Sequence, residues 1–425
     1  MYLENILNKY APRSLDSNSL NIISLKTNLH GVLVFLAARS GVLPKTLRLS
    51  SPADLTTSLR SPEVIPILTD SPDTYAADSE PRALPAVDAD GAIHLTAGAM
   101  YLAEPREFLG SLRIVCEDSP TATVLIPEGT QWLLKARSIE LRGISLSQQP
   151  PRDAESSNVE QPGGSSIHQL LALQCAALTV SSCVIQSPSA ADDFVGIAWH
   201  RAPGEQGVAV IRDTVFAGGG YGISFNHPPR RCEFDNVLLA NRGGGMLCEF
   251  QNGDPDTWEL SCHNVTQRFG FSVVDAVVRN EGIREVAISL TSSESVYAPQ
   301  MAILRLQVPK SWRPEAMKAQ FRSGESGNPA IVPPATRAVV YIDKSLGQPV
   351  SLPESQITDN SLLLADLLFD DNAEAGSNDA AVRSEWASST LIDFEGPKLT
   401  PVMPGVEVER LPRQNQDSPA ESARL

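Results

Sequence analysis

The middle of the chain alternates short apolar runs with small, turn-forming residues, and the alternation repeats. Five segments share one pattern: Leu141-Arg-Gly-Ile-Ser-Leu146, Val180-Ser-Ser-Cys-Val-Ile185, Ile211-Arg-Asp-Thr-Val-Phe216, Phe234-Asp-Asn-Val-Leu-Leu239 and Cys262-His-Asn-Val-Thr-Gln267. An apolar anchor is followed two places on by Gly143, Ser182, Asp213, Asn236 or Asn264. These residues tolerate left-handed backbone and bond their own main chain, so the pattern predicts a tight bend between two strands. Another strand follows each of the last four bends: Gly196-Ile-Ala-Trp-His200, Gly222-Ile-Ser-Phe-Asn226, Gly245-Met-Leu-Cys-Glu249 and Gly270-Phe-Ser-Val-Val274. The glycines step by 26, 23 and 25 residues, and the residues after them alternate with strand periodicity.

A period of about 25 residues is too short for a crossover helix. It predicts an all-β solenoid whose repeats pair in parallel about 4.8 Å apart, with like residues stacked. Ile197, Ile223, Met246 and Phe271 should form one inward column, and Trp199, Phe225, Cys248 and Val273 another. Asn236 and Asn264 should stack beside Asp213 and Ser182 in a polar ladder, as structural residues. Gly218-Gly-Gly-Tyr-Gly and Gly243-Gly-Gly lead into strands, so they read as tight loops rather than phosphate cradles.

At these residues the chain resembles a right-handed parallel β-helix of the pectin-lyase-like superfamily, a single-stranded solenoid. The segment from Gly91 to Tyr101, then Ser111-Leu-Arg-Ile-Val, Thr123-Val-Leu-Ile and Ser138-Ile-Glu-Leu-Arg-Gly-Ile, resembles the entry coil of such a fold. The resemblance covers about 88 to 310, with irregular extensions on either side. It implies one of several roles: polysaccharide lyase, glycoside hydrolase, non-catalytic binding module, or a partner of bacterial serine/threonine kinases. Fold alone does not choose among them.

Outside the repeats the pattern changes. Residues 1–43 are mixed and read as helical or signal-like, with an apolar run only from Val32 to Ala38. Residues 44–87 are rich in Ser, Pro, Thr and Asp and read as a linker. Residues 311–396 read as a C-terminal extension or cap with further strands and a helix candidate over Leu362–Phe369, and 397–425 as a disordered tail.

Charge narrows the partners. Asp and Glu total 50 against 34 Lys and Arg, a net charge of −16, which argues against nucleic acid and anionic membrane. No apolar run reaches the length of a membrane-spanning helix. The six cysteines form no C-x-x-C pair and read as buried thiols rather than a zinc site or disulfide scaffold. The compartment stays open: cell envelope or secreted if a signal precedes, otherwise cytoplasmic.

The strands after each motif glycine offer an outward column of His200, Asn226, Glu249 and Val274, flanked by Asp192, Asp193 and Arg242. A hydrolase needs two carboxylates roughly 5–10 Å apart. A calcium-dependent lyase needs a carboxylate cluster and a base. The column itself holds one carboxylate, Glu249. A catalytic reading therefore uses Asp192, Asp193 and Glu249, with His200, Asn226 and Arg242 binding ligand and Arg242 gripping an acidic sugar. The polygalacturonase-like set is incomplete, since Asp192-Asp193 is present and Gly-His-Gly is not. The leading expectation is a non-catalytic module that binds carbohydrate or a protein partner, such as an envelope protein, along its side. Polysaccharide cleavage and a kinase-associated scaffold are the alternatives. No cofactor or metal is expected; calcium is conceivable but nothing in the residues supports it.

Overall fold

Four of the five expected bends rest on non-glycine residues held in left-handed backbone. In the computed structural model Ser182, Asp213, Asn236 and Asn264 take φ of 51°, 45°, 54° and 50°, and Gly143 takes 67°. A sixth bend at Glu294, φ 47°, continues the series. The structure describes residues 80–119, 121–149, 168–187, 194–201, 207–251, 254, 257–279, 285–309, 311–313, 317–324, 330–332, 338–344, 350–351, 357–358, 363–364, 366–369, 389–393 and 404–412. The segments 1–43 and 44–87 up to residue 79, and Asp192-Asp193, lie outside them.

The protein is all-β and built on long parallel sheets. Strands on either side of the bends make one 18-stranded sheet; the strands that follow make a second of ten, in strict chain order. Bends at Asp213, Asn236 and Asn264 fall inside continuous strands, Val208–Gly218, Arg231–Asn241 and Thr257–Arg268. Each bent strand pairs in parallel with the next on both arms: Ile211↔Phe234↔Cys262 before the bend, Val215↔Leu238↔Thr266 after it. The pairing runs past residue 310, with Met317–Ser323 on Val286–Ser293 and Ala338–Lys344 on Ala302–Val308. Antiparallel pairing occurs at Ala338–Lys344 with Val350–Ser351 and at Asp366–Phe369 with Ser389–Asp393. Among the described residues no α-helix occurs. The helix expected over Leu362–Phe369 is replaced by strands Leu363–Leu364 and Asp366–Phe369, which pair with Ile331–Val332 and Ser389–Asp393. Edge bonding offered by neighbouring strands outweighs the helix propensity of leucine there.

The core runs continuously inside the sheets. Ile197, Ile223 and Met246 stack in register and are fully buried, as are Trp199, Phe225 and Cys248. The next repeat corrects the expected columns. Met246 pairs with Val274 and Cys248 with Ala276, while Phe271 is 46% exposed. Gly270 resembles the motif glycine but lies before the strand Ser272–Val278. Val273 is buried, yet outside the Cys248 stack. The aromatic part of the column is tied down by edge-to-face contacts from Trp199 to Phe225 and from Phe225 to Trp258, with the Trp199 indole donating to the Cys175 carbonyl at 2.8 Å. All six cysteines are free and buried.

Candidate functional site

The described residues proposed from sequence lie at the two ends of strands of the ten-stranded sheet. His200, Asn226 and Glu249 each follow a registered residue, Trp199, Phe225 and Cys248, so they share one edge. The Asn226 amide is committed to the backbone of Arg201, accepting from its N–H at 2.8 Å and donating to its carbonyl at 3.2 Å. Glu249 accepts from Arg279 at 2.8 Å, one repeat further on. His200 lies 3.2 Å from the Gln169 amide oxygen. Burial holds its imidazole below the ordinary value, against the pull of Glu249. Arg242 sits in the turn before strand Gly244–Phe250, with its N–H on the Gly218 carbonyl. Glu249 is seven residue steps further along, roughly 23 Å of extended chain. The structure therefore gathers His200, Asn226 and Glu249 at one edge and leaves Arg242 at the other; Asp192 and Asp193 lie outside the described residues.

Two polar clusters were not visible in the sequence pattern. At the edge shared by Asn226 and Glu249, His227 and Asp254 meet at 2.7 Å, both nearly fully buried, with the equally buried Arg201 at 4.0 Å from the same carboxylate oxygen. The second Asp254 oxygen accepts from the Gln251 N–H at 2.6 Å, and Arg201 donates to the Pro228 carbonyl at 2.8 Å. The His227–Asp254 contact and the Arg201 bond to Pro228 knit these loops into one buried polar corner.

The second cluster lies away from the core on the same sheet. Asp275 registers with Leu247 and with Arg305, and is fully buried. It accepts from the Tyr221 hydroxyl, from the Ser272 hydroxyl at 2.6 Å, and lies 3.5 Å from the Arg305 guanidinium. Tyr221 registers with Gly244, which registers with Ser272, so the phenol crosses a glycine to reach Asp275. A Cβ on Gly244 would stand 3.0 Å from the tyrosine ring. Burial, then the adjacent carboxylate, pushes the Tyr221 phenol well up, so it stays protonated and donates. Ala198, Leu247 and Asp275 are buried on this side as well, so the open outward face expected from sequence is shielded at these positions.

An open recess occurs at the strand ends of the earlier repeats. A cleft of about 590 Å³ is lined by Glu107, Leu109, Lys135, Arg137, Gln174 and His200, among others. Four of these form a register-matched ladder: Glu107↔Lys135, Lys135↔Gln174 and Gln174↔His200. Three steps of about 4.8 Å give the ladder a length of roughly 14 Å. Lys135 pairs with Glu107 at 2.8 Å. Leu109, 96% exposed, stands at the cleft rim. The surface thus presents Glu107, Lys135, Gln174 and His200 in a row, with Arg137 and the exposed Leu109 beside them.

Among the described residues no group of three or more His, Cys, Asp or Glu converges as a metal site, and no helix is long and apolar enough to cross a membrane. Comparison with family models, with curated proteins and with solved structures gave no match.

Proposed function

We propose that the chain is a right-handed parallel β-helix of the pectin-lyase-like kind, acting as a non-catalytic module that binds carbohydrate in the cleft on its side. The long parallel sheets and the in-register stacking of bends support the architecture. The observation that carries the function is the ladder Glu107–Lys135–Gln174–His200 lining the 590 Å³ cleft. Its groups recur at a fixed step along a groove, which suits a ligand that repeats hydroxyls along an extended chain. Charged and amide donors hold such hydroxyls by hydrogen bonds, and Leu109 offers a sugar ring an apolar surface.

The carboxylates near this edge support binding over cleavage. Glu107 is paired with Lys135, Glu249 with Arg279, and Asp254 with His227 and Arg201. General acid–base cleavage needs two placed groups facing one substrate bond, and these three face their own partners. Titration calorimetry against oligosaccharides selected on a glycan array tests the reading. Gln174→Ala with His200→Ala should weaken binding by about tenfold or more at unchanged melting temperature, the loss of two hydrogen bonds. Unchanged affinity would remove the cleft from the account.

A further inference from the structure

The chain's own segment of residues 404–412 lies against the bends. It runs across four successive bends, at Glu294, Asn264, Asn236 and Asp213. The Gly405 N–H donates to the Glu294 carbonyl at 2.8 Å, and the Val406 N–H to the Thr266 hydroxyl at 3.0 Å. The Glu407 N–H donates to the Asn236 amide oxygen at 2.7 Å; the Asn236 NH₂ group returns a bond to the Glu407 carbonyl at 3.3 Å, and Asn264 donates to the Glu407 carboxylate at 2.8 Å. Arg410 reaches Asp213 at 2.9 Å and Asp235 at 3.4 Å. Leu411 is buried against Val184, Val215, Ala217, Leu238 and Ala240, which face away from the main core.

Each contact reads a different property of the segment. Asn236 satisfies both main-chain groups of one residue, Glu407, as a strand neighbour would, and the positive φ at the bends aims the side chains of Asn236 and Asn264 at that residue. The paired aspartates fit a cation at Arg410, and the apolar pocket fits a branched side chain at Leu411. Most of these partners are side chains of the fold, so the segment is held as a peptide ligand is held, by alternating main-chain bonds and side-chain pockets.

We propose that the bend face is a peptide-docking groove that reads the Gly405-Val-Glu-Val-Glu-Arg-Leu411 segment, filled in cis in this structure and open to the same segment of a second copy of the chain once the cis segment lifts. Every copy carries both groove and ligand, so exchange needs no new contact. Tethering keeps the cis form dominant, because a covalently linked ligand acts at an effective concentration of about millimolar. This goes beyond carbohydrate binding, which uses the other edge of the fold.

The test uses full-length chains and a fluorescein-labelled peptide of residues 404–412. In the Arg410→Glu chain, and in Leu411→Asp as an independent variant, amide exchange over 405–411 should rise, reporting release. The released chains should bind the peptide saturably, at least about tenfold tighter than wild type, whose own segment competes. A peptide carrying Arg410→Glu should lose about tenfold or more on the released chains and regain affinity for a chain carrying Asp213→Lys together with Leu411→Asp. Release without peptide binding overturns the proposal, as does equal binding of a scrambled peptide or failure of both variants to release the segment. Light scattering of wild type at about millimolar chain concentration, where trans exchange competes with the tether, should show dimer growing with concentration; a chain that stays monomeric there overturns the second-copy occupant.

Discussion

Asn236 joins the bends to the C-terminal segment, and replacing it should separate two costs. The residue is fully buried, with φ of 54°, and makes three hydrogen bonds, one to Asp213 at 2.9 Å and two with the Glu407 backbone. Asn236→Ala removes all three and leaves the Glu407 N–H without its acceptor, a loss of about 1–3 kcal/mol. It also places a residue with a Cβ and no local side-chain bond in left-handed backbone, about 1 kcal/mol more. The sum is roughly 2–4 kcal/mol. Asn236→Gly loses the same bonds but not the backbone term, so it should lie about 1 kcal/mol above alanine in stability. Urea unfolding followed by circular dichroism gives both values. Amide exchange at 405–411 should rise in both variants. Equal stability of wild type and Asn236→Ala, or alanine more stable than glycine, would refute the reasoning.

Two further outcomes follow from the core. Ile223→Asp places a carboxylate at a fully buried position stacked between Ile197 and Met246; it should cost about 4 kcal/mol or more and leave little folded protein, as read from the urea midpoint. Burial pushes the Cys183 and Cys262 thiols from 9.0 up to about 12. The folded state thus holds these protons more tightly than the unfolded one. The stability they contribute is fully present below pH 9.0 and lost as pH rises toward about 12. Thermal midpoints should be flat through neutral pH and fall above pH 9, and thiol reagents should label the native chain at pH 8 only after unfolding. Rapid native labelling would contradict the buried placement.

The bends were legible because left-handed backbone restricts residue choice at a single position, and Ser182, Asp213, Asn236 and Asn264 all obey that restriction. The inward columns were legible through Met246 because glycine spacing and strand register agree there. They part company at the next repeat. From Gly245 to Gly270 is 25 residues, while the registered step from Met246 to Val274 is 28. The apparent motif therefore put Phe271 inside and hid Asp275, whose position between Val274 and Ala276 marks it as facing away from the core. The Tyr221–Asp275 bond spans 54 residues and crosses a glycine, and the contacts of Glu407 span 143 and 171. No local spacing encodes such pairs. The cleft ladder was hidden for a related reason: its steps from Glu107 to Lys135, Gln174 and His200 are 28, 39 and 26 residues, too uneven to read as one column.

Binding without cleavage is the central claim, and one incubation decides it. The full-length chain is mixed with pectate, polygalacturonate, alginate or xylan oligosaccharides, with and without calcium, and the sugars are followed over hours by chromatography and by absorbance of unsaturated uronates. The account predicts that the oligosaccharide retained by the protein is recovered at its original length, with no new reducing ends and no unsaturated product. New ends that appear in proportion to protein, and vanish in Glu249→Gln with the fold intact, would contradict it and make the chain an enzyme.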